Sequence, residues 1–149
     1  MAYEYKRDRR IEFAETDMAG IAHFANYFRF MEESEHEFFR SLGHVVHSHT
    51  DGEMNGWVRV NANCDYFGPL HYLDVVQIHV LIERIGASSI TYAFVFRKQP
   101  SDTVVARGRM TVVHVERRAG AEGIEKIPIP AAIRATLEVA PKELLDPRA

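Results

Sequence analysis

From Phe13 to Tyr27 the chain reads Phe-Ala-Glu-Thr-Asp-Met-Ala-Gly-Ile-Ala-His-Phe-Ala-Asn-Tyr, which puts an acid, a glycine and a histidine just ahead of a periodic apolar stretch. The acid is Asp17, the glycine Gly20 and the histidine His23. A carboxylate is ionised at neutral pH and can attack an electrophilic carbon or take a proton from water, and an imidazole can give or take a proton. The stretch opens a helix, whose first N–H groups lack intrahelical acceptors and whose dipole end is positive, so a carbonyl oxygen set there is polarised. No Ser, Thr or Asp stands at positions 21–25 to cap those donors. They are left for a ligand, or Asn26 or His23 caps them. The combination suits addition to a carbonyl. Taken alone, Asp17 in a Glu-Thr-Asp loop is also an ordinary turn residue.

Other chemistry-bearing residues are weaker candidates. His44, His47 and His49 cluster in one loop, but the spacing fits no helix face and Asp51 is the only carboxylate nearby, so no metal site is expected. Cys64 is the sole cysteine, which excludes an internal disulfide, and with no base near it in sequence it reads as a buried structural residue. Glu32 and Glu33 fall on a charged helix face and read as solvated.

The elements that must position these groups follow from periodicity. Residues 5–14 read as a strand of mixed character and 15–23 as a loop. Over residues 24–42, Tyr27, Phe30, Met31, Ser34, Phe38 and Leu42 recur at three- and four-residue spacing, which predicts the one long helix, ended by Gly43 at C′. Phe28 and Phe39 widen its apolar arc, so other structure must wrap around it. Residues 44–55 are polar, without period, and read as a loop. Residues 57–67, 75–85, 89–97 and 104–115 are rich in β-branched and aromatic side chains, with turn residues between them, and read as antiparallel strands with one covered face. A short amphipathic segment near 130–139 and a polar tail finish the chain.

At 149 residues, 46% apolar and 26% charged, the chain reads as one α+β domain over residues 1–149 with a core of its own. A net charge of −3 with scattered Lys and Arg speaks against a nucleic-acid partner, and no run approaches the roughly 20 apolar residues of a membrane span, so a cytoplasmic protein is expected. Apolar edge strands lead to the expectation of a homodimer or homotetramer.

Asp17-Met-Ala-Gly20-Ile21 with His23, Asn26 and Tyr27, the aromatic helix closed by Leu42-Gly43, then Cys64-Asp-Tyr66-Phe-Gly-Pro-Leu70, Asp74-Val-Val and Ile85-Gly-Ala-Ser88-Ser89, resembles the 4-hydroxybenzoyl-CoA thioesterase family of hotdog-fold enzymes. The resemblance spans residues 11–115. It implies a hotdog fold, a long central helix wrapped by a curved antiparallel sheet of about five strands, with active sites between paired subunits. It implies hydrolysis of an acyl-CoA or acyl-carrier-protein thioester without a cofactor. Asp17 would be nucleophile or general base and His23 an assisting catalytic group. The backbone N–H near His23 or Phe24 would hold the thioester oxygen, Gly20 would let the loop approach, and Phe24, Tyr27, Ser88 and Ser89 would contact substrate. Alternatives are a hotdog enoyl-thioester hydratase or dehydratase, which pairs Asp with His five residues on where this chain has six, and a non-catalytic acyl-CoA binding module.

Overall fold

The computed structural model describes residues 1–148. Its elements are β1 (Glu4–Arg10), a 3-10 turn (Phe13–Glu15), α1 (Asn26–Ser41), β2 (Ser48–Thr50), β3 (Glu53–Tyr66), β4 (Val75–Ile85), β5 (Ser89–Gln99), β6 (Thr103–Arg117), β7 (Glu125–Lys126), α2 (Ala131–Arg134) and α3 (Lys142–Leu145). All strands belong to one antiparallel sheet in the order β1-β4-β5-β6-β3-β2, with β7 on β6. This is the hotdog fold: the curled sheet encloses α1.

The buried stripe Tyr27, Phe30, Met31, Ser34, Phe38 and Phe39 faces the sheet as its spacing predicts, and meets Ile78, Val80, Ile82, Tyr92, Phe94 and Phe96 in one core. Glu35 shares that buried face. Phe28 instead remains exposed. Met31 lies so close to β6 that a Cβ at Gly108 would stand 2.6 Å from its sulfur, so the glycine is what lets helix and sheet touch here. At its end α1 makes the two bonds of a Schellman motif, Gly43 N–H to Arg40 C=O and His44 N–H to Phe39 C=O, with Gly43 at φ +82°.

The sheet has seven strands where about five were expected. The excess comes from short pieces at the margins. Residues 44–55 are not all loop: Asp51 and Gly52 both take positive φ, the backbone of a two-residue type I′ turn, and zip Ser48–Thr50 onto Glu53–Asn55. The first strand stops at Arg10, short of residue 14, because Ile11 turns into the core and Phe13–Glu15 coil into the 3-10 turn. Nor is only one sheet face covered. Leu81 and Val95 on the outer face are buried under Ala140, Leu144 and Leu145 of the C-terminal segment.

Candidate active site

The loop that carries Asp17 is closed at its base and turned at its tip. The Asp17 N–H donates to Ile21 C=O at 2.9 Å, the Gly20 N–H to Asp17 C=O at 2.9 Å, and Thr16 bridges Ala22. The Ala22 N–H donates to the carbonyl of buried Leu70 at 2.7 Å, which pins the returning limb to the chain ahead of β4. Gly20 stands at φ +80°, and a Cβ built on it would meet nothing within 4 Å. The glycine is therefore required by the backbone turn, not by a neighbour within the chain.

Accounting for the N–H groups at the start of α1 identifies the free donor. The His23 N–H donates to Glu15 C=O at 2.8 Å, and the Ala25 N–H to His23 Nδ1 at 3.2 Å. Asn26, Tyr27 and Phe28 donate to the carbonyls of His23, Phe24 and Ala25. Among the described residues the Phe24 N–H has no acceptor. His23 thus acts as a partial cap through Nδ1, with its ring stacked 4.5 Å from that of Phe24, whereas the Asn26 side chain turns away to Glu15 C=O at 2.8 Å.

Asp17, half-buried, borders a cavity of about 350 Å³ with Phe24, Tyr27, Tyr66 and the Gly68-Pro69 turn, and is the only carboxylate in its lining. Its Oδ1 accepts the Ala19 N–H at 2.9 Å. Tyr27 is buried edge-on to Tyr66, with ring centroids 5.0 Å apart, and to Phe96. Burial, then the nearby Cys64 and Tyr66, push the Tyr27 phenol up to about 12; burial likewise takes Tyr66 to about 12 and the Cys64 thiol to about 11. These three stay protonated at neutral pH. Cys64 is half-buried, where full burial was expected, because it sits on the free-edge strand β3.

The structure brings Asp17, Phe24 and Tyr27 together, with Gly20 and His23 on the adjoining loop. Ser88 and Ser89 are elsewhere in the chain. Ser89 pairs with Val113 whereas Tyr66 pairs with Ala106, and at ~3.3 Å per residue these positions on β6 lie roughly 20 Å apart. A second cavity of about 410 Å³ at the C-terminal end of α1 is lined by His44, Trp57 and His114 among others and contains no carboxylate. His44 bonds the Thr136 hydroxyl at 2.9 Å, and the His47 ring lies against Gly56 and 6.5 Å from that of His36.

Two residues of this region, Tyr66 among the quoted motif residues, have no site role in the sequence reading. Glu15 is buried beneath the loop and Tyr66 closes the cavity from β3, its hydroxyl donating to Phe24 C=O at 2.9 Å. Glu33, expected in solvent, accepts from Arg9 at 3.0 Å and from Arg7 at 3.4 Å, and Glu32 lies 3.9 Å from Arg59. The apolar arc of α1 ends beside a row of cations contributed by the sheet, which the helix sequence by itself does not show.

The hotdog sheet around one helix presents a carboxylate and a free N–H at the helix N-terminus, and comparison with known proteins gives the class. The sequence profile of the Thioesterase-like superfamily matches residues 11–137. The chain belongs to that family, and it is a thioester hydrolase. It is 37% identical over 107 residues to a protein of Aquifex aeolicus (strain VF5) whose name places it among the esterases, covering 72% of this chain and 80% of the relative. It is 31% identical over 98 residues to a 1,4-dihydroxy-2-naphthoyl-CoA hydrolase of Prochlorococcus marinus (strain NATL1A), covering 61% of this chain and 65% of that protein. The solved structure of a gentisyl-coenzyme A thioesterase superposes with a TM-score of 0.73 at 27% identity, over 87% of this chain and 99% of that one.

Proposed function

We propose that the chain hydrolyses an acyl-CoA thioester in the cavity at the N-terminus of α1, with Asp17 acting on the carbonyl carbon and the Phe24 N–H donating to the carbonyl oxygen. The observation that carries this reading is that Asp17 and the residue with the unpaired N–H border the same cavity. As the carbon becomes tetrahedral its oxygen gains charge, and a fixed N–H at a helix N-terminus stabilises that charge more than it stabilises the substrate. Two routes fit Asp17. As nucleophile, a carboxylate oxygen adds to the carbon, the coenzyme thiolate leaves and takes a proton, and water cleaves the resulting anhydride. As general base, Asp17 accepts a proton from water while the oxygen of that water adds to the carbon, after which the C–S bond breaks and the coenzyme thiolate leaves and takes a proton. His23 accepts the Ala25 N–H at Nδ1, and its part in this proposal is to offer Nε2 to the leaving group.

An aromatic acyl group is the first to test. The cavity wall is formed by Phe24, Tyr27 and Tyr66, and relatives are named for the hydrolysis of dihydroxynaphthoyl-CoA and gentisyl-CoA. A carrier-protein thioester is the competing donor.

The working unit of this proposal is a homodimer or homotetramer. Only Glu53–Asn55 of β3 pair with β2, so among the described residues no strand covers the outer edge from Gly56 to Tyr66, and Val60 on it is exposed. Ser88 and Ser89 would then reach the substrate from a partner subunit. No helix among the described residues is long and apolar enough to cross a membrane, and a cytoplasmic location belongs to the same proposal.

The test is free-thiol release from aromatic, short aliphatic and long aliphatic acyl-CoA by the parent and by Asp17→Asn. The near-isosteric amide is expected to keep fold and KM and to lower kcat by about 100-fold or more. Turnover within a few-fold of the parent removes Asp17 from the reaction.

A further inference from the structure

We infer that Glu15 is a positioning residue for this reaction: its buried carboxylate, clamped by Arg9 and Arg29, sets the loop that aims Asp17 and leaves the Phe24 N–H free. The inference rests on the reading of Asp17 as the reacting carboxylate.

Glu15 is 4% exposed, and its side chain is fully engaged. Oε1 accepts Arg9 Nη1 at 2.6 Å and the Glu12 N–H at 2.9 Å, and Oε2 accepts Arg9 Nη2 at 2.6 Å and Arg29 Nη2. Arg9 is itself oriented, with Nε 3.0 Å from Glu33 and its guanidinium carbon 4.3 Å above the Phe30 ring. The carboxylate therefore meets the two-nitrogen edge of a fork donor anchored on β1, a geometry that fixes direction as well as distance. Burial opposes its charge, but the bonds from Arg9 and from the Glu12 N–H, with Arg29 nearby, prevail and hold it below the usual carboxylate range.

The backbone of the same residue governs both ends of the site. Glu15 C=O accepts the His23 N–H and the Asn26 side-chain amide, each at 2.8 Å. With the His23 N–H committed inward, Phe24 presents the one donor in this turn without an acceptor among the described residues, and Asp17 follows Glu15 by two residues. Residues 18–20, by contrast, are exposed, and the tip's own bonds are short-range turn bonds. The returning limb is tied elsewhere, at Ile21–His71 and Ala22–Leu70, so Glu15 holds the outgoing limb that carries Asp17.

A buried ion cluster is poor evidence for stability as such, since a well-packed apolar residue of similar size can do as well. Directional bonds are what an apolar residue cannot replace. Glu15→Gln tests this because the amide keeps the volume but turns one acceptor oxygen into an NH₂ that faces the Arg9 donors. At equal fold, kcat is expected to drop by about 10- to 100-fold with KM within about threefold, the scale of a misplacement near 1 Å. In the Asp17→Asn background the same change should lower the residual rate by a clearly smaller factor than in the parent, because only its effect on the Phe24 donor remains. Glu15→Asp, which restores the charge, should recover part of the lost kcat.

Arg29→Gln removes the more exposed arm of the clamp and should lower kcat in the same direction by a smaller factor. It decides the matter if Glu15→Gln fails to fold. A folded Glu15→Gln with kcat within twofold of the parent overturns the inference, as does an equal loss in the Asp17→Asn background. With Glu15→Gln unfolded, an Arg29→Gln enzyme of unchanged kcat overturns it. Full activity of Asp17→Asn would instead defeat the underlying reading, so the two failures are distinguishable.

Discussion

The Tyr66 hydroxyl donates to the Phe24 carbonyl at 2.9 Å, so the last residue of β3 holds the residue whose N–H is free at the start of α1. The two residues lie 42 positions apart in sequence. The sheet thereby determines where the helix places its first donor.

Tyr66→Phe keeps the ring against Tyr27 and deletes this bond together with the hydroxyl's contact with Cys64. A neutral hydrogen bond is worth about 0.5–1.5 kcal/mol net, so kcat for thiol release should fall by roughly two- to tenfold with KM nearly unchanged. An unchanged kcat would mean that the Phe24 peptide is held by its own chain alone.

Gly20 is expected to rank substituents by backbone preference and not by size. It sits at φ +80° with open space where a Cβ would go, so asparagine, which tolerates the left-handed region, should retain more activity than alanine, and valine least. The strain is on the order of 1–2 kcal/mol. Steady-state rates and melting temperatures of the three variants check the order; Gly20→Val performing as well as Gly20→Asn would show that this turn is not retained in solution.

Glu35 should make the fold less stable as pH rises. Burial, opposed in part by Arg59, raises its carboxyl from 4.5 to about 7, so between those values the folded chain keeps a proton that the unfolded chain has released. The contribution is full below about pH 4.5 and is lost as pH passes 7, an effect on the order of 3 kcal/mol. Urea unfolding at pH 5 and pH 8 should show this difference in the parent and a markedly smaller one in Glu35→Gln. Equal pH dependence in the two proteins would remove Glu35 as the source.

The β3 edge is expected to carry the subunit contact. Val60→Lys with Ala62→Asp places charges on an edge whose strand bonds are unmet, and should shift the protein to a monomer by light scattering while thiol release falls at least tenfold. A monomer with full activity would show that one chain holds the whole site.

Much of the site was legible because its parts are close in sequence. The acid, glycine and histidine of residues 17–23, the absence of a conventional cap, the three-and-four spacing of α1 and the C′ glycine at 43 are local features, and each has a local physical cause. Asp51-Gly52 carried an equally local hairpin signal, yet the polar residues around it read as loop, and β2 was missed.

Glu15 and Tyr66 were not legible in that way. A Glu in a loop and a Tyr at a strand end are ordinary residues until the fold supplies Arg9, Arg29 and the Phe24 carbonyl as partners. Ser88 and Ser89 show the converse, since matching motif residues proved to lie at the far end of the sheet from Asp17. By itself, the sequence determined the helix, the strands and the loop that bears the carboxylate, because propensity, periodicity and turn chemistry act over a few residues. Which N–H stays free, which acid is clamped and how far Ser88 and Ser89 lie from Asp17 were decided only by the tertiary structure, because strand pairing joins groups far apart along the chain and burial drives groups such as the Glu15 carboxylate to find partners there.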